Sequence, residues 1–130
     1  MKRIYGALIA APSISATVPS LDMSNREVIN LLATWCESLG FAVEITELDN
    51  NPGKYNLAAK LGTGEGGLML AGHTDTVPFD DNRWEFDPFK LSEQNNKFYG
   101  LGSIDMKGFF AFVLNALQEI DNDTGLANLK

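Results

Sequence analysis

Cysteine is almost missing from this chain: Cys36 stands alone among 130 residues. No internal disulfide can form, and the thiol count gives no sign of an oxidising compartment. Histidine is equally scarce, with only His73. No apolar run approaches the roughly 20 residues that a membrane-spanning helix needs. Basic clusters are absent as well; Lys2-Arg3 is the only adjacent pair, and 10 Lys and Arg face 17 Asp and Glu for a formal net charge of −7. A surface of that sign repels phosphate backbones and anionic lipid, so neither nucleic acid nor membrane is expected as a partner. What remains, 45% hydrophobic and 21% charged residues, is the composition of a globular chain long enough for one core. Residues 1–11 carry two basic residues and an apolar stretch, in the manner of a very short secretory leader. Tyr5 and Gly6 interrupt that stretch, so it reads better as an amphipathic helix, and the expected compartment is the cytoplasm.

Periodicity supplies a coarse map. Residues 2–10 read as a short helix ended by Pro12 and a loop over 13–22. Ser24-Asn25-Arg26-Glu27 fits an S-x-x-E capping box, and Val28, Leu31, Leu32, Trp35 and Leu39 recur at helical spacing before Gly40. Cys36 lies on that apolar stripe, where packing explains it better than nucleophilic chemistry. Phe41, Val43 and Ile45 alternate with Ala42, Glu44 and Thr46, as in a strand with one buried face; the cluster 49–53 is a turn and 55–61 a second strand. Leu68-Met69-Leu70-Ala71, apolar on both faces, predicts a third and central strand over 67–71. Residues 78–88 form a polar loop bearing Phe79, Trp84 and Phe86. Residues 91–99 look like a hairpin turning at Asn95-Asn96. Residues 106–120 are apolar nearly all round, which predicts a helix buried on most sides, closed by 121–125. No repeat and no linker appears. The order suggests an α/β layer structure.

Two segments carry chemistry. His73 follows the apolar run directly, in Gly72-His73-Thr74-Asp75-Thr76-Val77-Pro78, at the strand end where open α/β sheets place their sites. Residues two apart in extended backbone project to one side, so Asp75 can orient the His73 imidazole, fix its tautomer and raise its basicity toward a metal. Taken alone, the pair is equally a hydrogen-bonded strand end. Asp105, in Gly100-Leu101-Gly102-Ser103-Ile104-Asp105-Met106-Lys107-Gly108, stands where a helix should begin, either as a simple N-cap or as a carboxylate placed to hold cations. Gly62-Thr63-Gly64-Glu65-Gly66-Gly67 matches G-x-G-x-x-G in letters only. It precedes a strand instead of opening a helix, and Glu65 would repel phosphate. Asn122-Asp123-Thr124 is a glycosylation sequon with no secretory context. Trp84, Phe79 and Phe86 either line an entrance or pack the loop onto its own domain.

The ordered whole is more specific than its parts. His73-x-Asp75, then Trp84 and Asp87-Pro88-Phe89, then Tyr99-Gly100-Leu101-Gly102, then Asp105-Met106-Lys107-Gly108 resembles the M20 family of metallopeptidases and amidohydrolases across nearly the whole chain. Leu8-Ile9-Ala10-Ala11-Pro12-Ser13-Ile14-Ser15, Phe79-Asp80-Asp81 and Phe109-Phe110-Ala111-Phe112 are similar to the members that act on acetylated ornithine. Many members have Arg where this chain has Leu101, and that departure is itself like the ornithine branch.

The resemblance implies the fold class and the site. The fold would be the N-terminal part of an α/β zinc-hydrolase catalytic domain, a mixed sheet packed by helices and incomplete. His73 would bind one metal of a two-zinc or two-cobalt pair, Asp105 would bridge both metals, and Asp75 would be the catalytic-site carboxylate hydrogen-bonded to His73. A cis peptide at Asp105–Met106 is a candidate. Two close metals suit amide hydrolysis because they polarise a carbonyl and supply hydroxide at neutral pH. Imidazole and carboxylate are fitting donors.

The expected substrate is a small N-acyl amino acid, N2-acetyl-L-ornithine, cleaved to ornithine and acetate in arginine biosynthesis. N-succinyl-diaminopimelate, a dipeptide, or a non-catalytic interaction module stand as alternatives. The family's general base, from an adjacent Glu-Glu pair, and its late His have no counterpart here, since Glu119, Asp121 and Asp123 follow no strand. Residues 1–130 are therefore expected to be the first third of a parent enzyme, inactive alone, without the smaller domain through which the parent would dimerise.

Overall fold

A computed structural model describes residues 1–63 and 66–122, without the side chains of 121 and 122. Gly64 and Glu65 of the glycine run, Asp123 and Thr124 of the sequon, and the rest of the chain to 130 lie outside the described residues.

Helix α1 (Lys2–Ala10) forms as the sequence predicts and buries Ile4, Tyr5, Leu8 and Ile9 on one side. Helix α2 (Arg26–Ser38) sets Val28, Leu32 and Trp35 against them, and Ala111 and Leu114 of α3 (Lys107–Asn122) complete the cluster. Leu8, Ile9, Val28 and Ala111 are fully enclosed, and each such aliphatic side chain of Leu or Val size contributes about 1.5–3 kcal/mol by leaving water. Cys36 packs at the edge of this core, and burial pushes its thiol up, away from thiolate chemistry.

The α2 ends differ from each other. At the C-terminus Gly40, at φ 82°, closes a Schellman turn in which Phe41 N donates to Cys36 O and Gly40 N to Glu37 O. At the N-terminus the expected capping box does not form. Asn25 is the cap residue but makes no side-chain cap bond, because its amide is used elsewhere. Its Oδ1 accepts from Tyr55 N and its Nδ2 donates to Tyr55 O, both at 2.8 Å, which fastens the free edge of the next hairpin. Ser24 Oγ accepts from Arg26 N instead.

That hairpin pairs β1 (Ala42–Glu47) antiparallel with β2 (Tyr55–Lys60), Ile45 opposite Leu57. Val43, Ile45 and Leu57 take the half-buried face toward α2. A second hairpin joins β3 (Ser92–Gln94) to β4 (Lys97–Tyr99). Asn95 and Asn96 turn it at φ 53° and 58°, the left-handed pair that a two-residue type I′ connection requires. The fold class is thus mixed helix and sheet, as expected.

Three expectations need correction. The central strand over 67–71 is not formed among the described residues; Leu68 and Met69 are 85% and 87% exposed. An apolar run becomes a strand only where a neighbour completes its ladder, and here the sheets are two separate hairpins. Helix α3 is not buried on most sides: Lys107, Ala111 and Leu114 form the buried stripe, while Phe112 and Ile120 are exposed. Asp105 is not the cap of that helix, which begins two residues later, past a cis peptide at Asp105–Met106.

Candidate metal centre

The segment bearing His73 keeps strand alternation without belonging to a sheet. Thr74 and Thr76 point inward and are buried; His73 and Asp75 point outward. The inner face is secured by Ile14, which forms a single parallel bridge to Thr76, and by Asn25 Nδ2, which donates to Thr74 Oγ1 at 3.0 Å. The loop that supplies Ile14 is itself pinned. Lys54, 8% exposed, donates from Nζ to Met23 O at 2.6 Å and to Asp22 Oδ1 at 2.7 Å. The Lys54 ammonium, together with Ala16 N–H, holds the Asp22 carboxyl below its usual range.

Across a shallow cleft stands the turn 100–106. Leu101 N donates to Pro88 O at 2.7 Å, and Gly102, at φ 84°, brings the turn against Thr76, where a Cβ would meet the threonine methyl at 2.9 Å. This close approach sets Asp105 beside His73.

Both imidazole nitrogens face carboxylates. His73 Nδ1 lies 3.1 Å from Asp75 Oδ1 and 3.1 Å from Asp75 O; His73 Nε2 lies 2.9 Å from Asp105 Oδ1. Partial burial of the ring works against protonation. The bond to the Asp75 carbonyl, the bond to Asp105 and the two carboxylate charges outweigh it, so the His73 pKa is raised. An imidazole between two carboxylates is a place that favours positive charge, whether a proton or a metal ion. With Asp75 holding the Nδ1 proton, the Nε2 lone pair and Asp105 Oδ1 become neighbouring donors, and neutral imidazole with carboxylate suits zinc or cobalt. The fit is that of a partial site: no group of three or more ligand side chains gathers among the described residues.

The cleft over these residues holds about 210 Å³ and is walled by Val77, Trp84, Ser103 and Ile104. A larger groove of about 910 Å³ adjoins it, lined by Trp84, Phe86, Phe98, Tyr99, Phe109 and Phe112. Its size does not make it the chemical centre, because neither His73 nor Asp105 reaches it. Trp84 does both things the sequence left open: it walls the two depressions and packs edge-on against Phe79 at 6.0 Å.

The structure therefore brings His73, Asp75 and Asp105 within hydrogen-bond distance of one another's side chains through the His73 ring. Sequence reasoning missed the residues beneath them, Tyr5, Ser13 and Lys107, whose partners are too distant along the chain to leave a local pattern. Among the described residues, no helix is long and apolar enough to cross a membrane.

Comparison with known proteins agrees with this geometry. The profile of Peptidase family M20/M25/M40 matches residues 69–129. An acetylornithine deacetylase of Pasteurella multocida (strain Pm70) is 59% identical over 119 residues, covering 92% of this chain and 31% of that protein. One of Klebsiella pneumoniae (strain 342) is 61% identical over 121 residues, covering 93% and 32%. The crystal structure of human carnosine dipeptidase 1 superposes with a TM-score of 0.77 at 26% identity, covering 92% of this chain and 27% of that one. The chain thus spans about a third of the length of the curated relatives it matches.

Proposed function

Because this chain belongs to peptidase family M20/M25/M40, we propose that it supplies the first metal ligands of an amidohydrolase that removes acetate from N2-acetyl-L-ornithine. One observation carries the reading: His73 is held between Asp75 and Asp105 at hydrogen-bond distance, in an open cleft, by residues in the order the family motif requires.

In this reading His73 Nε2 and Asp105 would be the side chains that hold a divalent metal, zinc or cobalt. Asp75 retains the Nδ1 proton and fixes the ring plane, the usual service of a carboxylate behind a metal-bound histidine. Bound there, such an ion would supply Lewis acidity toward an amide carbonyl and make water more acidic. The base that accepts the proton of water is proposed to lie in the length of the relatives that this chain does not span, and the same holds for a dimer contact. The choice of acetylornithine over a dipeptide rests on the 59–61% identity to proteins of that name against 26% to the dipeptidase.

A chimera tests the reading. Residues 1–122 replace the corresponding stretch of the Pasteurella multocida relative, and the product is assayed with N2-acetyl-L-ornithine plus zinc or cobalt. Turnover is expected, with loss on His73→Ala, while the 130-residue chain alone is expected to give none. A folded chimera that is inactive toward acetylornithine, or an active His73→Ala, would overturn the proposal.

A further inference from the structure

The segments bearing His73 and Asp105 share no regular element, and residues 5–15 hold both of them. On one side Ser13, wholly buried, donates from Oγ to Thr74 O at 2.6 Å, and its own carbonyl accepts from Thr76 N at 3.0 Å. Ser15 N donates to Thr76 O at 2.8 Å. These bonds grip the backbone on both sides of Asp75 and directly after His73.

On the other side Tyr5, 4% exposed, donates from Oη to Ser103 O at 2.6 Å. Lys107, 1% exposed, donates from Nζ to Ala11 O at 2.6 Å. The two bonds bracket Asp105 at equal remove, two residues before it and two after. The fit at Tyr5 is tight. A Cβ on Gly108 would stand 2.2 Å from Ser103 O and 2.8 Å from Tyr5 Oη, so the hydroxyl reaches the turn only because residue 108 is glycine.

We propose that Ser13 and Tyr5 are positioning residues whose hydroxyls set the separation of His73 Nε2 from Asp105 Oδ1, and with it the affinity of that pair for a divalent cation. The statement about the cation rests on the reading in the preceding section; the statement about the separation does not. A buried carbonyl deprived of its donor reorients toward another one. In extended backbone the inward and outward groups turn together, so re-aiming Thr74 O re-aims the His73 ring beside it. Metal affinity is sensitive to displacements of about half an ångström, which is why supporting bonds matter as much as the ligands.

The test uses the fact that His73 is the sole histidine, so its ring nitrogens give unambiguous signals in a ¹⁵N-labelled chain. Ser13→Ala and Tyr5→Phe are compared with the parent, with Asp105→Ala as the uncoupled reference. Ile29→Val, which thins the core on α2, controls for mere loss of stability. Without metal, both hydroxyl variants are expected to move the ring signals at least halfway toward the Asp105→Ala position, and Ile29→Val to leave them in place. On titration with ZnCl2, both variants are expected to bind roughly ten-fold more weakly than the parent. Metal-free ring signals that coincide with the parent's in both variants would overturn the positioning role, whatever zinc does. Parent signals that ignore zinc, with the metal-free shifts intact, would overturn the metal reading and leave the positioning role standing.

Discussion

Residues 1–60 and residues 66–106 are put together differently. In the first region two helices and a hairpin satisfy most of their backbone within themselves, and their apolar faces share one core. In the second, regular structure amounts to one turn of 3-10 helix, Asp81–Arg83, and two strands of three residues. Its fixed points come from outside: Ser13 reaches Thr74 across 61 residues of sequence, and Tyr5 reaches Ser103 across 98. A site, then, does not need a rigid element of its own. Irregular backbone can hold ligands well enough when a packed region elsewhere supplies buried donors aimed at it.

If this is right, damage to the first region travels to the second. Leu8 is fully buried on α1, between the two grips at Tyr5 and Ala11. Leu8→Ala is expected to cost about 2–5 kcal/mol, the range for deleting a buried leucine. Trp35 in the first region and Trp84 in the second should lose their folded signatures in one transition during urea titration. Two separated transitions, read by removing each tryptophan in turn, would break the comparison.

A smaller effect tests the loop that carries Ile14 to the site. Asp22 has its carboxyl pKa lowered by Lys54 and by Ala16 N–H. A depressed carboxylate favours the folded state at pH values above its unfolded pKa, near 3.8, and loses that contribution as the pH falls through the lower folded value. Asp22→Asn should therefore melt below the parent at neutral pH, and the two melting curves should converge on acidification below about pH 4. Curves that stay equally far apart from pH 7 to pH 3 would show that the pair is not the source of the difference.

The smallest effect on stability belongs to the exposed run 68–71, which pairs with no strand among the described residues. Leu68→Ser combined with Met69→Ser is expected to change stability by no more than about 0.5 kcal/mol, as surface substitutions do. It should reduce self-association, measured by light scattering, because an unpaired apolar stretch is a template for other chains. A loss above about 1.5 kcal/mol would mean that the run is packed in solution, and the two regions would be less unlike.

The same division governs what could be read in advance. Helix α1, helix α2 with Gly40, and both hairpins were legible because their signals are local: a period, a turn residue, an Asn-Asn pair. That His73, Asp75 and Asp105 stand together was legible by motif. The run 68–71 was not, because apolarity on both faces expresses a demand for neighbours and does not say whether they are met. Nor was the partial exposure of α3, since Phe112 carries no mark that distinguishes a covered face from an uncovered one. Ser24 was misread for a related reason. Local pattern made it the cap, while the helix starts one residue later from Asn25, whose amide is taken by Tyr55, thirty residues on. Ser13 falls in the expected loop over 13–22, yet it is wholly buried.

The bond from Lys107 to Ala11 also has a bearing on how the chain is made. It spans 96 residues, so α1 leaves the ribosome long before the element that will cover it has been translated. At about 5–20 residues per second that interval is on the order of 5–20 s. Throughout it Ile4, Leu8 and Ile9 have only part of their eventual cover. During synthesis this first helix therefore stays partly wet until the residues around 107–114 have emerged.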